Sequence, residues 1–181
     1  MYKTHTKIIL FFSVVFCFGF ISSDHENFPV PSGYKNLVFY VQRSFNKNTL
    51  IYQLNFNDNN ELNAKEPIVV HWINYTGKGE IESLNYIQRN YAYGLSIHEI
   101  DTAKKTFNFH FVSYKKQTFY LLKSSDQKYH VFSYFDKRLL LLNHIYVHIE
   151  GGSFWTPKVK YIEVYGKDPS KNEEIIQKII P

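Results

Sequence analysis

Two arginines stand among aromatic residues. The dipeptide Gln-Arg occurs at Gln42-Arg43, where the alternating apolar positions Leu37, Phe39 and Val41 end, and again at Gln88-Arg89, just ahead of Asn90-Tyr91-Ala92-Tyr93-Gly94. A guanidinium is permanently charged and presents a planar fork of N–H donors, so an arginine held against aromatic rings can grip an anionic group through two parallel hydrogen bonds. The same setting also suits stacking on a tyrosine and pairing with a nearby carboxylate, a structural use that is the plainer of the two. If a binding site exists, Arg43 and Arg89 are its candidate anion contacts, with His71, Trp72, Tyr91 and Tyr93 lining it.

Histidines and carboxylates offer a second chemistry. His144 and His148 share a strand face but lie four residues apart, about 13 Å in an extended chain, too far to hold one ion together. His148 and Glu150, at spacing two, are close enough. An envelope hydrolase would need two or more of His71, His98, Glu99, His148 and Glu150 at a common point in a cleft. Paired carboxylates for glycoside hydrolysis could come from Glu99, Asp101, Glu150 and Glu163. The stretch Asn55, Asn57, Asn59, Glu61, Asn63, Glu66 follows the spacing of a calcium loop, but Asn60 replaces the turn glycine and the first three ligand positions carry no carboxylate, so a solvated hairpin is expected. No serine lies in a Gly-x-Ser-x-Gly elbow and no glycine-rich phosphate loop is present. The residues imply no cofactor and no metal.

These side chains need a scaffold, and the N-terminus bears on where it works. Lys3, His5 and Lys7 precede an apolar run over residues 8–21 that ends at Ser22-Ser23-Asp24. A basic start, an apolar run shorter than the roughly 20 residues of a comfortable membrane crossing, and small residues after it predict a signal peptide over 1–23 and an exported product, periplasmic or extracellular. No second apolar stretch of that length follows, so no transmembrane segment is expected after its removal. The single cysteine, Cys17, lies inside the run, and bulky Phe16 before it argues against a lipoprotein site. Cleavage would lower Lys plus Arg from 21 to 19 against 16 acidic residues, and the formal charge from +5 to +3. Along the sequence that excess is scattered among acidic residues, so no nucleic-acid partner is expected. Without Cys17 neither a disulfide framework nor thiol chemistry remains.

After an extended lead-in over 24–36, marked by Pro29, Pro31 and Gly33, the chain becomes a succession of short segments rich in Val, Ile, Tyr, Phe and Thr. Strands are expected at 36–43, 49–56, 67–75, 94–101, 106–113, 118–124, 129–135, 139–150 and 158–165. Connections of a few residues suit antiparallel hairpins and leave no room for crossover helices. We expect one β-rich domain over 37–181, mainly β: a single antiparallel sandwich or barrel of eight to nine strands with one or two short helices. The first helix falls at 81–92, where Ile81, Leu84, Ile87 and Tyr91 recur at helical spacing, Ser83 can cap and Gly94 can end it. The second falls at 172–179. In the segment 139–150, Ile145, Val147 and Ile149 alternate with His144, Tyr146, His148 and Glu150, giving one core face and one polar, aromatic face.

Several stretches together resemble a known family. They are Phe28-Pro29-Val30-Pro31, Phe39-Tyr40-Val41-Gln42-Arg43-Ser44, Asn48-Thr49-Leu50-Ile51-Tyr52, Pro67-Ile68-Val69-Val70-His71-Trp72, Tyr86-Ile87-Gln88-Arg89 with Ala92-Tyr93-Gly94, and the run from Gly151 through Trp155 to Val159 with Tyr161 to Gly166. In this order they are similar to the domain of unknown function 4833, with His71-Trp72 where that family carries Tyr-Trp. The resemblance implies a single domain and draws attention to Arg43, Trp72, Arg89 and Tyr93. It implies no activity, substrate or cofactor.

The leading expectation is a non-enzymatic exported β domain that binds a small anionic or amphiphilic ligand, or a cell-envelope partner, with both guanidinium groups pointing into one pocket. An envelope hydrolase using strand-end carboxylates or histidines is the alternative. A structural interaction module with an exposed aromatic patch is the third reading.

Overall fold

Apolar side chains at every second position bury one face of an extended chain, and the backbone groups left over must then pair with a neighbouring strand. A computed structural model describes residues 28–181, so the expected signal segment, Cys17 and residues 24–27 lie outside the described residues. Within them the chain forms β1 (Leu37–Arg43), β2 (Asn46–Leu54), β3 (Ile68–Asn74), β4 (Glu80–Ser83), a π-helical turn (Gln88–Tyr93), β5 (Leu95–Asp101), β6 (Thr106–Phe111), β7 (Tyr114–Lys123), β8 (Tyr129–Phe135), β9 (Arg138–Gly152), β10 (Pro157–Lys167) and β11 (Glu174–Ile179). All nine expected strands are present.

The strands join in one sheet with the order β4-β3-β2-β1-β9-β8-β7-β6-β5, while β10 pairs with β9 and β11 with β10. Every pairing is antiparallel except β1 with β9, which is parallel from Tyr40 against His144 to Arg43 against Val147. Strand β9 presents one edge to two partners in succession. Leu139, Leu140 and Leu141 face β8, and residues 144–147 face β1. Strand β10 covers its other edge from Leu141 to Gly152. The result is a continuous open sheet curled into half a barrel.

Aromatic rings fill the curl. Phe39 stacks on Tyr52 at 4.2 Å within β1 and β2 and reaches Phe109 of β6 at 6.3 Å. Phe109 stacks on Phe119 at 5.4 Å, and Phe111 meets Phe119 edge-on at 5.5 Å and Tyr52 at 5.7 Å. Offset and edge-to-face geometry is what the ring quadrupole favours. Phe39, Tyr52, Phe107, Phe109, Leu121 and Leu140 are buried to within 1%. The row Phe107, Phe109, Phe111 is thus core, as alternation suggests.

The helices differ from expectation. Residues 80–83 form β4 instead of the first turn of a helix, because the loop before them closes a hairpin. Asn74 Oδ1 accepts bonds from Thr76 Oγ1 and the Gly77 amide, its Nδ2 donates to Glu82, and Gly79 takes a φ of 78°. The helix starts later, where Asn85 and Gln88 cap each other: Asn85 Oδ1 accepts from the Gln88 amide at 2.9 Å and Gln88 Oε1 from the Asn85 amide at 3.0 Å. It then widens into a π-turn ending at Gly94. A Cβ there would sit 1.9 Å from the Arg89 carbonyl oxygen, so close approach, not unusual backbone angles, requires the glycine. The segment expected as a second helix is β11. Ile175, Gln177 and Ile179 share its more buried face, and pairing with Gly166, Val164 and Ile162 satisfies a backbone that an isolated short helix leaves marginal.

Phe109→Ala should lower the unfolding free energy by about 3–5 kcal/mol, read from the urea midpoint, because a ring contacted from both sides leaves a cavity; a loss under about 1 kcal/mol would show that the seam does not hold the curl. Gly94→Ala should disrupt the π-turn and release Tyr93, seen as lost amide-exchange protection at Val112, whose amide bonds Gly94 O at 3.0 Å; unchanged protection there would refute the close-approach account.

Candidate ligand-binding cleft

The curl leaves an open cleft of about 930 Å³. Its floor is the inner face of β9, β10 and β11, with Ile145, Val147, Ile149, Val159, Ile162 and Val164 in the lining, and its walls come from β1, β2, β6 and β7. Apolar side chains dominate because these are the inward positions of the alternating strands. The single charged side chain in this lining is Arg43.

Arg43 is held from several sides. It ends β1, and the next residue continues the strand's parallel pairing: the Ser44 amide bonds Val147 O at 3.0 Å, Ser44 Oγ donates to Ile149 O at 2.9 Å, and the Ile149 amide donates to Ser44 Oγ at 2.7 Å. The guanidinium lies 5.3 Å from the Trp72 ring centroid and 5.5 Å from that of Tyr93, within cation–π range. One of its terminal nitrogens donates to Tyr93 Oη. Trp72 and Tyr93 meet edge-on at 5.1 Å. Tyr93 is fixed in turn by Tyr52 Oη donating to its carbonyl at 2.9 Å and by Ser113 Oγ donating to Ala92 O at 2.6 Å.

The charge of Arg43 is uncompensated. Among the described residues no carboxylate lies in ion-pairing distance of it, and its Nε is buried without an acceptor, as is Trp72 Nε1 close by. Burial pushes the Tyr93 phenol up, with Arg43 pulling it partway back, and burial pushes Tyr52 well up with Tyr93 adding to it. Both phenols therefore stay neutral at ordinary pH and contribute no negative charge. A half-buried cation in apolar surroundings without a counter-ion is costly, and an anion placed beside it removes that cost.

Arg89 does not join Arg43. It lines a separate cleft of about 320 Å³ with Lys65, Ile68, Leu84 and Leu95, and it pairs with Glu66 at 3.3 Å, both partners half-exposed. This is the structural use that its sequence neighbourhood also allowed. Of the other candidates, Trp72 and Tyr93 gather at Arg43, and Tyr91 lines the outer part of the large cleft. His71 is next to Trp72 in β3 but alternation turns it to the opposite face, outside the cleft lining, where its Nδ1 is buried without a partner.

The histidine and carboxylate candidates are dispersed over different strands. His148 Nε2 lies 3.7 Å from Glu150 Oε1, but Lys160 also engages Glu150, and neither residue lines the cleft. His98 of β5 sits 6.0 Å from His110 of β6. Among the described residues no three His, Cys, Asp or Glu side chains cluster closely enough to hold a metal ion. In the calcium-like stretch the side-chain oxygens serve the loop itself: Asn57 Oδ1 accepts the Asn59 and Glu61 amides, Asn63 Oδ1 the Lys65 amide, and Glu61 pairs with Lys105 at 3.4 Å. The polar face of β9 is a stacked surface, with His144 between Tyr40 at 4.8 Å and Tyr165 at 3.9 Å, and His148 on Tyr161 at 4.5 Å.

Sequence reasoning passed over Phe45, Phe154 and Trp155, which also line the cleft. The available signal was a large aromatic pair in a turn, between Gly151-Gly152 and Pro157, where solvation would favour polar residues. No helix among the described residues is long and apolar enough to cross a membrane.

No curated protein and no solved structure matches the chain. A family model does, over residues 39–178, which takes in most of β1 with Arg43, the π-turn, the cleft floor and nearly all of β11; the chain belongs to the family described as a domain of unknown function (DUF4833).

Proposed function

We propose that this protein is a non-enzymatic binder of a single-chain amphiphilic anion, held with its apolar chain along the β9–β10 floor and its head group at Arg43. The observation that carries this reading is the uncompensated guanidinium on the wall of a mainly apolar cleft. A volume of about 930 Å³ falls in the range of roughly 300–1,000 Å³ usual for small-molecule sites. Apolar lining with few convergent polar groups is the usual composition of such sites. Ser44, Asn46, Ser113 and Gln117 also line the cleft, with the Ser44, Ser113 and Gln117 donors engaged by Ile149 O, Ala92 O and Ser133 Oγ with Tyr134 O. We propose further that residues 1–23 direct export, so that the domain meets its ligand in the periplasm or outside the cell; N-terminal sequencing of the native protein tests this, and an intact Met1 start would refute it.

Palmitate and hexadecanol, which share a chain and differ in charge, are suitable probes. Wild-type protein should bind palmitate in isothermal titration, and Arg43→Gln should weaken it about ten- to hundredfold, the value of one charge-assisted hydrogen bond of about 1.5–3 kcal/mol. Hexadecanol binding should be unchanged by the substitution. Arg43→Lys, which keeps the charge and loses the fork, should fall between the two. Palmitate binding equal in wild type and Arg43→Gln, with both folded by circular dichroism, would refute the role of Arg43. Absence of binding to wild type would refute the ligand class.

A further inference from the structure

The mouth of the cleft carries large aromatic side chains in water. Phe45 is 77% exposed, Trp155 64%, Tyr91 59% and Phe154 47%. They come from three separate elements, the β1–β2 turn, the β9–β10 turn and the π-turn, yet all line the same cleft. Tyr91 meets Trp155 at 6.2 Å, Trp155 meets Phe154 at 5.2 Å, and Tyr86, also exposed, meets Tyr91 at 6.5 Å, so rings from two of the elements form one continuous surface. Phe45 takes a φ of 62°, a left-handed conformation uncommon for a bulky residue, and it directs no side chain into the core in return. Contiguous exposed aromatic surface of this kind marks a contact with something apolar.

Charge narrows what that is. The hairpin segments that bear or flank the rim, 43–48, 111–117 and 149–160, carry Lys47, Lys115, Lys116, Lys158 and Lys160 besides Arg43. All five lysines are exposed. The one carboxylate in these segments is Glu150, which Lys160 engages. Aromatic rings flanked by lysines match the head-group region of an anionic bilayer, where Trp and Tyr sit at the boundary and lysines face the negative lipid surface.

We propose that the aromatic rim docks on the surface of an anionic lipid bilayer, with Phe45, Tyr91, Phe154 and Trp155 entering the head-group layer and Lys47, Lys115, Lys116 and Lys158 holding the lipid phosphates. This deepens the reading of the cleft as an amphiphile site, because docking there opens the cleft toward the phase in which amphiphiles reside. The docking does not itself require that reading.

The two tryptophans make the proposal testable. Trp72 is buried, Trp155 is exposed, and residues 1–27 contain none. Tryptophan emission of the full chain therefore reports the rim even though the apolar segment 8–21 is present. On addition of phosphatidylcholine vesicles containing phosphatidylglycerol, emission should shift to the blue and be quenched by brominated lipid. Trp155→Phe should abolish both changes. Lys115→Glu with Lys116→Glu should raise the lipid concentration at half-effect at least fivefold, as should moderate salt. Arg43→Gln should leave the quenching intact while weakening palmitate binding about ten- to hundredfold, which separates docking from ligand binding. Unchanged Trp155 emission with phosphatidylglycerol vesicles overturns the proposal and leaves the ligand reading standing. Equal quenching by pure phosphatidylcholine, with no effect of the lysine substitutions, overturns the anionic-surface assignment.

Discussion

One edge of β9 serves two strands, and the rest of the molecule follows from that. β8 pairs over the start of β9 and β1 over residues 144–147, so the two wings of the sheet leave the same edge side by side. Strand twist turns them toward each other, and their inward faces must then be covered by one another. Phe39 and Tyr52 from one wing meet Phe109 and Phe111 from the other, which Phe119 backs, and rings of that size can bridge a gap that aliphatic side chains would leave partly void. The seam covers only part of the curl, and the uncovered floor of β9 and β10 is the cleft.

The two arginines differ in their surroundings. Arg89, on a half-exposed turn, has Glu66 in reach and water around it, the ordinary condition of a surface ion pair of small energetic value. Arg43 sits where β1 runs out along β9, between Trp72 and Tyr93, whose rings can hold a cation but whose neutral groups cannot neutralise it. Tyr52 and Ser113 hold the π-turn in place around it, and π-turns recur at functional sites because they re-aim side chains within a helix.

Strands were legible in the sequence because period-two alternation is a local property. Ile145, Val147 and Ile149 against His144, Tyr146 and His148 identifies the faces of β9 without knowledge of any partner. Residues 172–179 misled because Ile175, Ile176 and Ile179 fit a helical stripe as well as a strand, and only the free edge of β10 decides between them. Ile81 and Leu84 misled for a related reason: a hairpin set by Asn74 and Gly79 takes Ile81 into β4 before a helix can start. Of the candidate residues, Arg43 and Tyr93 stand out by residue type and Trp72 through the family resemblance, and the structure brings these three together. The sequence could not place Arg89 apart from them, since Glu66 approaches from a loop 23 residues away. It groups His71 with Trp72, although alternation in β3 already places the two on opposite faces.

The parallel pairing of β1 with β9 also sets the order in which the chain can fold. Ser44 and Ile149 are 105 residues apart, and β1 has no partner on that side until β9 exists. Contacts of such sequence separation carry a large loop-closure cost and fold slowly. As the chain folds, β1 to β4 can form a meander early, but its aromatic face stays uncovered until the second wing and β9 dock. The aromatic rings that form the seam of the finished protein therefore lie exposed beside an open strand edge until the second wing docks, the condition in which a folding chain is most prone to aggregate.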